Sequence, residues 1–87
     1  MSNRKLTDLI NVGVKIADRL EAVGIHNEMD LRKTGPVEAH QRLTLRFPEE
    51  TLPVCYYLYS FEGALRNLHW DTIGSARKQQ LLDAVRR

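Results

Sequence analysis

A long apolar stripe in the second half of the chain constrains the fold most. Within residues 53–68, apolar side chains recur at the i, i+4, i+7, i+11 and i+14 spacing of one helical face, at Val54, Leu58, Phe61, Leu65 and Leu68. A helix that is apolar over most of its circumference is usually the buried, central helix of a domain. We therefore expect residues 53–68 to form the central helix, with Leu58, Phe61 and Leu65 almost fully buried.

Shorter helices are predicted around this central one. Asn27 is suited to cap a helix over residues 28–33, and Pro36 is suited to the first turn of another that ends near Arg46. A last helix is expected over about residues 74–86. No segment alternates with period two, so no sheet is expected. With 87 residues, the chain is predicted to be a single domain (residues 1–87), all-α, a compact bundle of five to six short helices.

Residues 6–25 predict two helices joined by a very tight turn. The apolar helical rhythm breaks at Asn11-Val12-Gly13 and resumes at Val14, and Gly24 ends the second helix. Asn and Gly enter left-handed backbone conformations at low cost. We therefore expect Asn11 and Gly13 to permit a sharp reversal of the chain.

A turn of this kind predicts a contact with an anion. It leaves the backbone N–H groups around Gly13, Val14 and Lys15 unpaired at a helix start, where a phosphate can bind, and Lys15 and Arg19 supply nearby positive charge. This arrangement is typical of a helix-hairpin-helix contact with the nucleic-acid backbone, and such a contact does not depend on base sequence. The alternative is a purely structural turn in a protein-binding adaptor or dimerisation domain.

Four residues of the second half are expected to be structural. Glu62 lies on the central helix, where an ion pair with Arg66 at i+4 is favoured over a catalytic acid, since no second catalytic group is close in sequence. His69 and Trp70 are expected to close the core beneath the last helix. The alternative is that Trp70 is exposed and stacks on a ligand.

The residues that commonly bind metals are too scattered to predict a site. His26, His40, His69 and Cys55 are not paired at the spacing that a structural zinc site needs. No metal, cofactor or catalytic activity is therefore expected, and Cys55 is interpreted as a small buried hydrophobic residue.

Composition favours a cytoplasmic protein. The single cysteine excludes an intrachain disulfide and fits a reducing compartment. No apolar run approaches the roughly 20 residues of a membrane span, and the N-terminus lacks the apolar region of a secretory signal. No membrane partner is expected, and the sequence does not specify an oligomeric state. The net charge of +2 is too small to indicate nucleic-acid binding by itself.

Together these residues resemble the C-terminal domain of the TfoX/Sxy family, bacterial regulators of natural competence. The resemblance spans about residues 6–85 and is carried by Ile10-Asn11-Val12-Gly13, Ala17, Leu20, Val23-Gly24-Ile25, Asp30-Leu31-Arg32, Gly35, Ala39, Leu43, Glu62-Gly63-Ala64-Leu65-Arg66, His69-Trp70 and Arg77-Lys78. It implies a small all-helical domain with a helix-hairpin-helix-like start and no catalytic activity. In the family this domain often follows a different N-terminal domain, so a chain that begins with it is expected to be a stand-alone member. The predicted function is a non-enzymatic regulatory or accessory module related to these regulators, and the turn at residues 11–15 predicts DNA or a regulatory protein as its partner.

Overall fold

The computed structural model describes residues 3–53 and 56–86. Within them the chain forms five α-helices, α1 (Val14–Ala22), α2 (Glu28–Thr34), α3 (Pro36–Arg46), α4 (Leu58–Arg66) and α5 (Ser75–Val85), and two 3-10 turns, Leu6–Asp8 and Trp70–Thr72. No strand occurs in the described ranges, and the globule measures 30 × 29 × 20 Å. The predicted all-α bundle is confirmed.

The predicted boundaries of α2 and α3 are confirmed to within one residue. Asn27 caps α2, because its side-chain oxygen accepts a hydrogen bond from the Asp30 N–H at 2.9 Å. Gly35 separates the two helices at a φ of 82°, a left-handed value that glycine adopts without strain. Pro36 then occupies the first turn of α3, where its missing N–H leaves no hydrogen bond unmade.

The central helix is shorter than predicted. α4 begins at Leu58, after a turn in which the N–H groups of Tyr56 and Tyr57 both donate to the Pro53 carbonyl. It ends at Arg66 because Asn67 turns to a left-handed φ of 57°. Val54 and Cys55, with the roles predicted for them, lie outside the described residues.

α4 is nevertheless buried at the centre, in contact with α2, α3, α5 and the second 3-10 turn. Leu58 and Phe61 are completely buried, as predicted. Leu65 is only half-buried, because it lies at the rim of the core near the end of the helix. The expectation of near-complete burial was wrong for Leu65.

The first of the two helices predicted in residues 6–25 is a single 3-10 turn, Leu6–Asp8. The turn ends at Leu9, whose backbone is extended with a φ of −81° and a ψ of 140°. Leu6, Leu9 and Val12 are all buried. The helix-hairpin-helix-like segment is therefore a 3-10 turn, a tight reversal and one α-helix, which ends before Gly24 at a φ of 85°.

Candidate functional site

The reversal before α1 depends on Asn11. Its φ of 73° is left-handed, as predicted for this position. Gly13, in contrast, has a φ of −91° and a ψ of −177°, an extended backbone that any residue adopts. The expectation that Gly13 needs a left-handed conformation was wrong, because Asn11 alone makes the reversal.

The Asn11 side chain joins the reversal to the end of α4. Its amide nitrogen donates to the carbonyl oxygens of Leu68, at 2.9 Å, and Ser60, at 3.3 Å, and its oxygen accepts from the Trp70 N–H at 3.3 Å. A Cβ atom on Gly63 would lie 2.4 Å from the Leu68 oxygen and 2.6 Å from the Asn11 nitrogen. The close approach therefore requires glycine at position 63. Sequence reasoning identified Asn11 by its backbone tolerance and missed this bridging role.

The start of α1 presents free backbone donors. Gly13 is the N-cap and supplies no side-chain hydrogen bond. No acceptor from the described residues meets the N–H groups of Val14, Lys15 or Ile16, since the first bond of the helix runs from Ala17 to Gly13. The helix dipole adds partial positive charge at this end. An anion therefore finds both donors and favourable charge here.

The residues that carry these donors line a groove of about 480 Å³. Its described lining residues come from the start of α1 and from the segment before α4: Gly13, Val14, Lys15, Ile16, Thr51, Pro53, Tyr56 and Tyr57. Val14 is 68% exposed and Tyr56 is 58% exposed. Of the described lining residues, Lys15 alone carries a charge, so the groove combines apolar walls with a positive edge.

The two basic residues predicted for phosphate contact have different environments. Lys15 is exposed and forms no ion pair with any described residue. Arg19 pairs with Glu50, with Nη2 to Oε1 at 2.8 Å, and its guanidinium lies 4.9 Å from the centre of the Phe47 ring. Hydrogen bonding to Glu50 raises the pKa of Arg19. Arg19 therefore already has an internal charged partner, unlike Lys15.

Glu62 is buried within an arginine cluster. Arg77 of α5 donates from Nε to Oε2 at 2.8 Å and from Nη2 to Oε1 at 3.2 Å, and Arg66 approaches Oε2 at 3.6 Å. The predicted pair with Arg66 is present, but Arg77 is the closer partner. The carboxylate is engaged by α5, an arrangement that joins two helices.

His69 and Trp70 lie at the surface and not beneath the last helix as expected. His69 is exposed, and its Nδ1 lies 2.6 Å from the Asp71 carboxylate. Trp70 is partly exposed, with the Lys78 ammonium 5.6 Å and the Tyr56 ring 6.4 Å from its ring centre. Asn11 bonds to the Leu68 carbonyl and to the Trp70 N–H, so a polar side chain holds the backbone on both sides of His69.

Within residues 3–53 and 56–86, no group of three or more histidine, cysteine or acidic residues is placed to hold a metal ion. His40 is buried, and burial lowers its pKa below the ordinary value of 6.5. His26 is exposed on the surface between α1 and α2. None of the helices in the described ranges is long and apolar enough to cross a membrane.

Two comparisons relate the chain to known proteins. The sequence profile of the TfoX C-terminal domain matches residues 2–85. A crystal structure of an uncharacterised protein from Listeria monocytogenes, in a triclinic form, is similar with a TM-score of 0.79 and 27% sequence identity. The likeness covers 93% of this chain and 86% of that one. A search of curated proteins gave no match.

Proposed function

The chain belongs to the TfoX C-terminal domain family, and from the geometry at the start of α1 we propose that it contacts the DNA backbone as a non-enzymatic regulatory or accessory module. The family is not a known family of enzymes. We further propose that the protein acts in a bacterial cytoplasm and in a role related to the competence regulators that the family resemblance implies.

One observation carries the proposal. Val14, whose backbone N–H is free, and Lys15, whose N–H is free and whose ammonium has no described ion-pair partner, line the same groove. Backbone N–H groups at a helix start bind phosphate oxygens, and a nearby lysine adds charge attraction. Such contacts do not read base edges, so binding is expected to be weak and indifferent to DNA sequence.

The same groove also supports a second candidate, a protein-binding adaptor or dimerisation domain. Val14 and Tyr56 expose apolar surface to solvent, and such surface suits the side chain of a protein partner. This candidate predicts binding that does not weaken as salt is added.

Fluorescence anisotropy with a mixed-sequence duplex tests the leading proposal. The groove reaches about two phosphates, so log K against log salt concentration should have a slope of roughly −2. Lys15→Glu should weaken binding to every sequence without unfolding the domain, because the Lys15 side chain is exposed.

Lys33→Glu is the matched control. Lys33 is also exposed and forms no ion pair with a described residue, but it lies at the end of α2 and does not line the groove. Its substitution should leave DNA affinity nearly unchanged. If the unmodified protein binds no DNA, duplex or single-stranded, at about 50 mM salt and high micromolar concentration, the DNA proposal fails and the adaptor takes its place.

A further inference from the structure

We propose that the Tyr56 ring is a stacking surface for an unpaired base, so that the groove prefers single-stranded to duplex DNA. This inference rests on the proposed contact with the DNA backbone and adds the class of nucleic acid to it. Tyr56 lines the same groove as Val14 and Lys15, and more than half of its surface is open to solvent. A phosphate at the helix start and a base on the ring would therefore belong to one bound strand.

The Tyr56 ring is held in place from the protein side. Trp70 meets it in an edge-to-face arrangement, with ring centres 6.4 Å apart and planes inclined by 64°. The Trp70 backbone is in turn fixed by its hydrogen bond to Asn11, the residue that shapes the start of α1. The same residue therefore shapes the start of α1 through its backbone and holds the Trp70 backbone through its side chain. A ring fixed beforehand loses less conformational entropy when a base stacks on it.

The charges around the ring suit an anionic strand. In the described ranges six arginines form ion pairs with glutamates, namely Arg4, Arg19, Arg32, Arg42, Arg66 and Arg77. Lys15 and Lys78 form none there. Lys15 lines the groove, and the Lys78 ammonium lies over the Trp70 and Tyr59 rings. Asp71, on the Trp70 turn, is hydrogen-bonded to His69. Lys15 in the groove and Lys78 over the Trp70 ring are therefore two cations that no described carboxylate pairs with.

The physical state of the bases decides the preference. In a duplex, the bases are stacked and paired inside the helix and only phosphates reach a shallow groove. In a single strand, every base offers an aromatic face, and stacking on a tyrosine contributes about 1–3 kcal/mol for each base. The proposed backbone contact is common to both forms, so the difference between them isolates the contribution of the ring.

The experiment compares a fluorescein-labelled thymidine oligonucleotide of about 15 nucleotides with a duplex of the same length, at about 50 mM salt. The single strand should bind more tightly. Tyr56→Ala should weaken single-strand binding by about 5- to 100-fold and duplex binding by less than about twofold, because only the single strand has a free base to stack. Tyr56→Phe, which keeps the ring, should retain the preference.

Leu45→Ala is the matched control, since Leu45 is 82% exposed and lies on α3 away from the lining residues. It should change neither affinity. Trp70 is the single tryptophan of the chain, and its contact with Tyr56 makes its fluorescence an independent reporter. The single strand should change Trp70 emission, and the duplex should leave it unchanged.

Three results would overturn the inference. Equal affinity for the two forms, or an equal loss for both in Tyr56→Ala, would show that the ring stacks on no base while the backbone proposal stands. Absence of binding to both forms would refute the backbone proposal and this inference together. Thermal unfolding of Tyr56→Ala, expected to match that of the unmodified protein, separates lost stacking from lost folding.

Discussion

The Glu62 carboxylate on α4 accepts two hydrogen bonds from the Arg77 guanidinium on α5, at 2.8 and 3.2 Å. The glutamate side chain is 9% exposed and the arginine side chain is 43% exposed. The carboxylate is therefore buried, while the guanidinium is partly in contact with water. The two bonds are parallel and charge-assisted, an arrangement in which loss of one partner leaves a buried group unsatisfied.

Glu62→Gln should therefore lower the free energy of unfolding by about 1–3 kcal/mol. Chemical denaturation measures the change. Glu38→Gln is the control, because Glu38 and Arg42 form an exposed i,i+4 pair whose loss should cost less than about 0.5 kcal/mol. Equal losses in the two variants would show that burial of Glu62 adds nothing to the free energy of unfolding. Any substrate turnover that depends on Glu62 would contradict the non-enzymatic proposal.

Asn11→Gly separates the backbone of the reversal from its hydrogen bonds. Glycine adopts the φ of 73° at no cost, so any loss of stability comes from the bonds to Leu68, Ser60 and Trp70. We expect a loss of about 1–3 kcal/mol. Asn11→Ala should lose about 1 kcal/mol more, because alanine is strained at a positive φ. A fully stable Asn11→Gly variant would show that the side-chain bonds are dispensable.

Gly13→Ser should stabilise the domain and weaken DNA binding. With an extended backbone and no atom within 4 Å of an added Cβ, position 13 accepts a serine. Its hydroxyl would cap the free N–H groups of α1, for a gain of a few tenths of a kcal/mol, about what separates glycine from serine at an N-cap. The same hydroxyl would compete with a phosphate. Thermal unfolding and anisotropy together check both effects, and tighter DNA binding by the variant would contradict the proposed contact.

Protonation of the buried His40 should lower the stability of the protein as the solution becomes acidic. Burial lowers the pKa of His40 below 6.5 in the folded protein, so the unfolded chain binds a proton first. Stability from this residue is complete above pH 6.5 and is lost as the pH falls from 6.5 toward the folded pKa.

The pH-dependent loss should be largely absent in His40→Gln when unfolding is followed at neutral and at mildly acidic pH. The pKa of Glu28, lowered to about 2 by Arg4, acts in a separate range. Its contribution is present above the ordinary value of 4.5 and is lost as the pH falls from there toward 2. An unchanged slope in His40→Gln near pH 6 would assign the effect to another group.

Phe61→Ala and Leu65→Ala should destabilise the protein to different extents, because the two residues lie on one helix but differ in burial. Phe61 is completely buried, and its truncation should cost about 3–5 kcal/mol, enough to leave a small domain poorly folded. Leu65 is half-buried, so its cavity would be partly open to water and the cost nearer 2 kcal/mol. Circular dichroism during heating compares them. A melting temperature of Phe61→Ala equal to that of the unmodified protein would contradict the central position of α4.

Local sequence signals predicted the boundaries of α2 and α3 to within one residue. Asn27, Gly35 and Pro36 each act through the backbone of their immediate neighbours, so their effect is readable from a short window of sequence. The partners of Arg19 and Glu62, in contrast, are Glu50 and Arg77, which are distant in sequence and meet only in the folded chain. Helical periodicity contains no information about such pairs.

In the candidate site too, local features were predictable from the sequence and contacts between distant segments were not. The left-handed turn at Asn11 was predicted because asparagine enters that conformation at low cost. The groove with Tyr56 was not predicted, since it depends on the segment before α4 packing beside α1. The apolar stripe predicted that the central helix begins at residue 53. In the structure α4 begins only at Leu58, and the chain before it forms a turn at Pro53.

The bonds of Asn11 reach residues 49 and 57 positions away along the chain. A synthetic peptide of residues 6–25 would therefore contain the complete turn sequence but none of the carbonyl groups that orient it. The same holds for a graft of that segment onto another scaffold. The smallest portable version of this turn includes the end of α4 and the loop to Trp70, so its recognition properties can be engineered only in the intact domain.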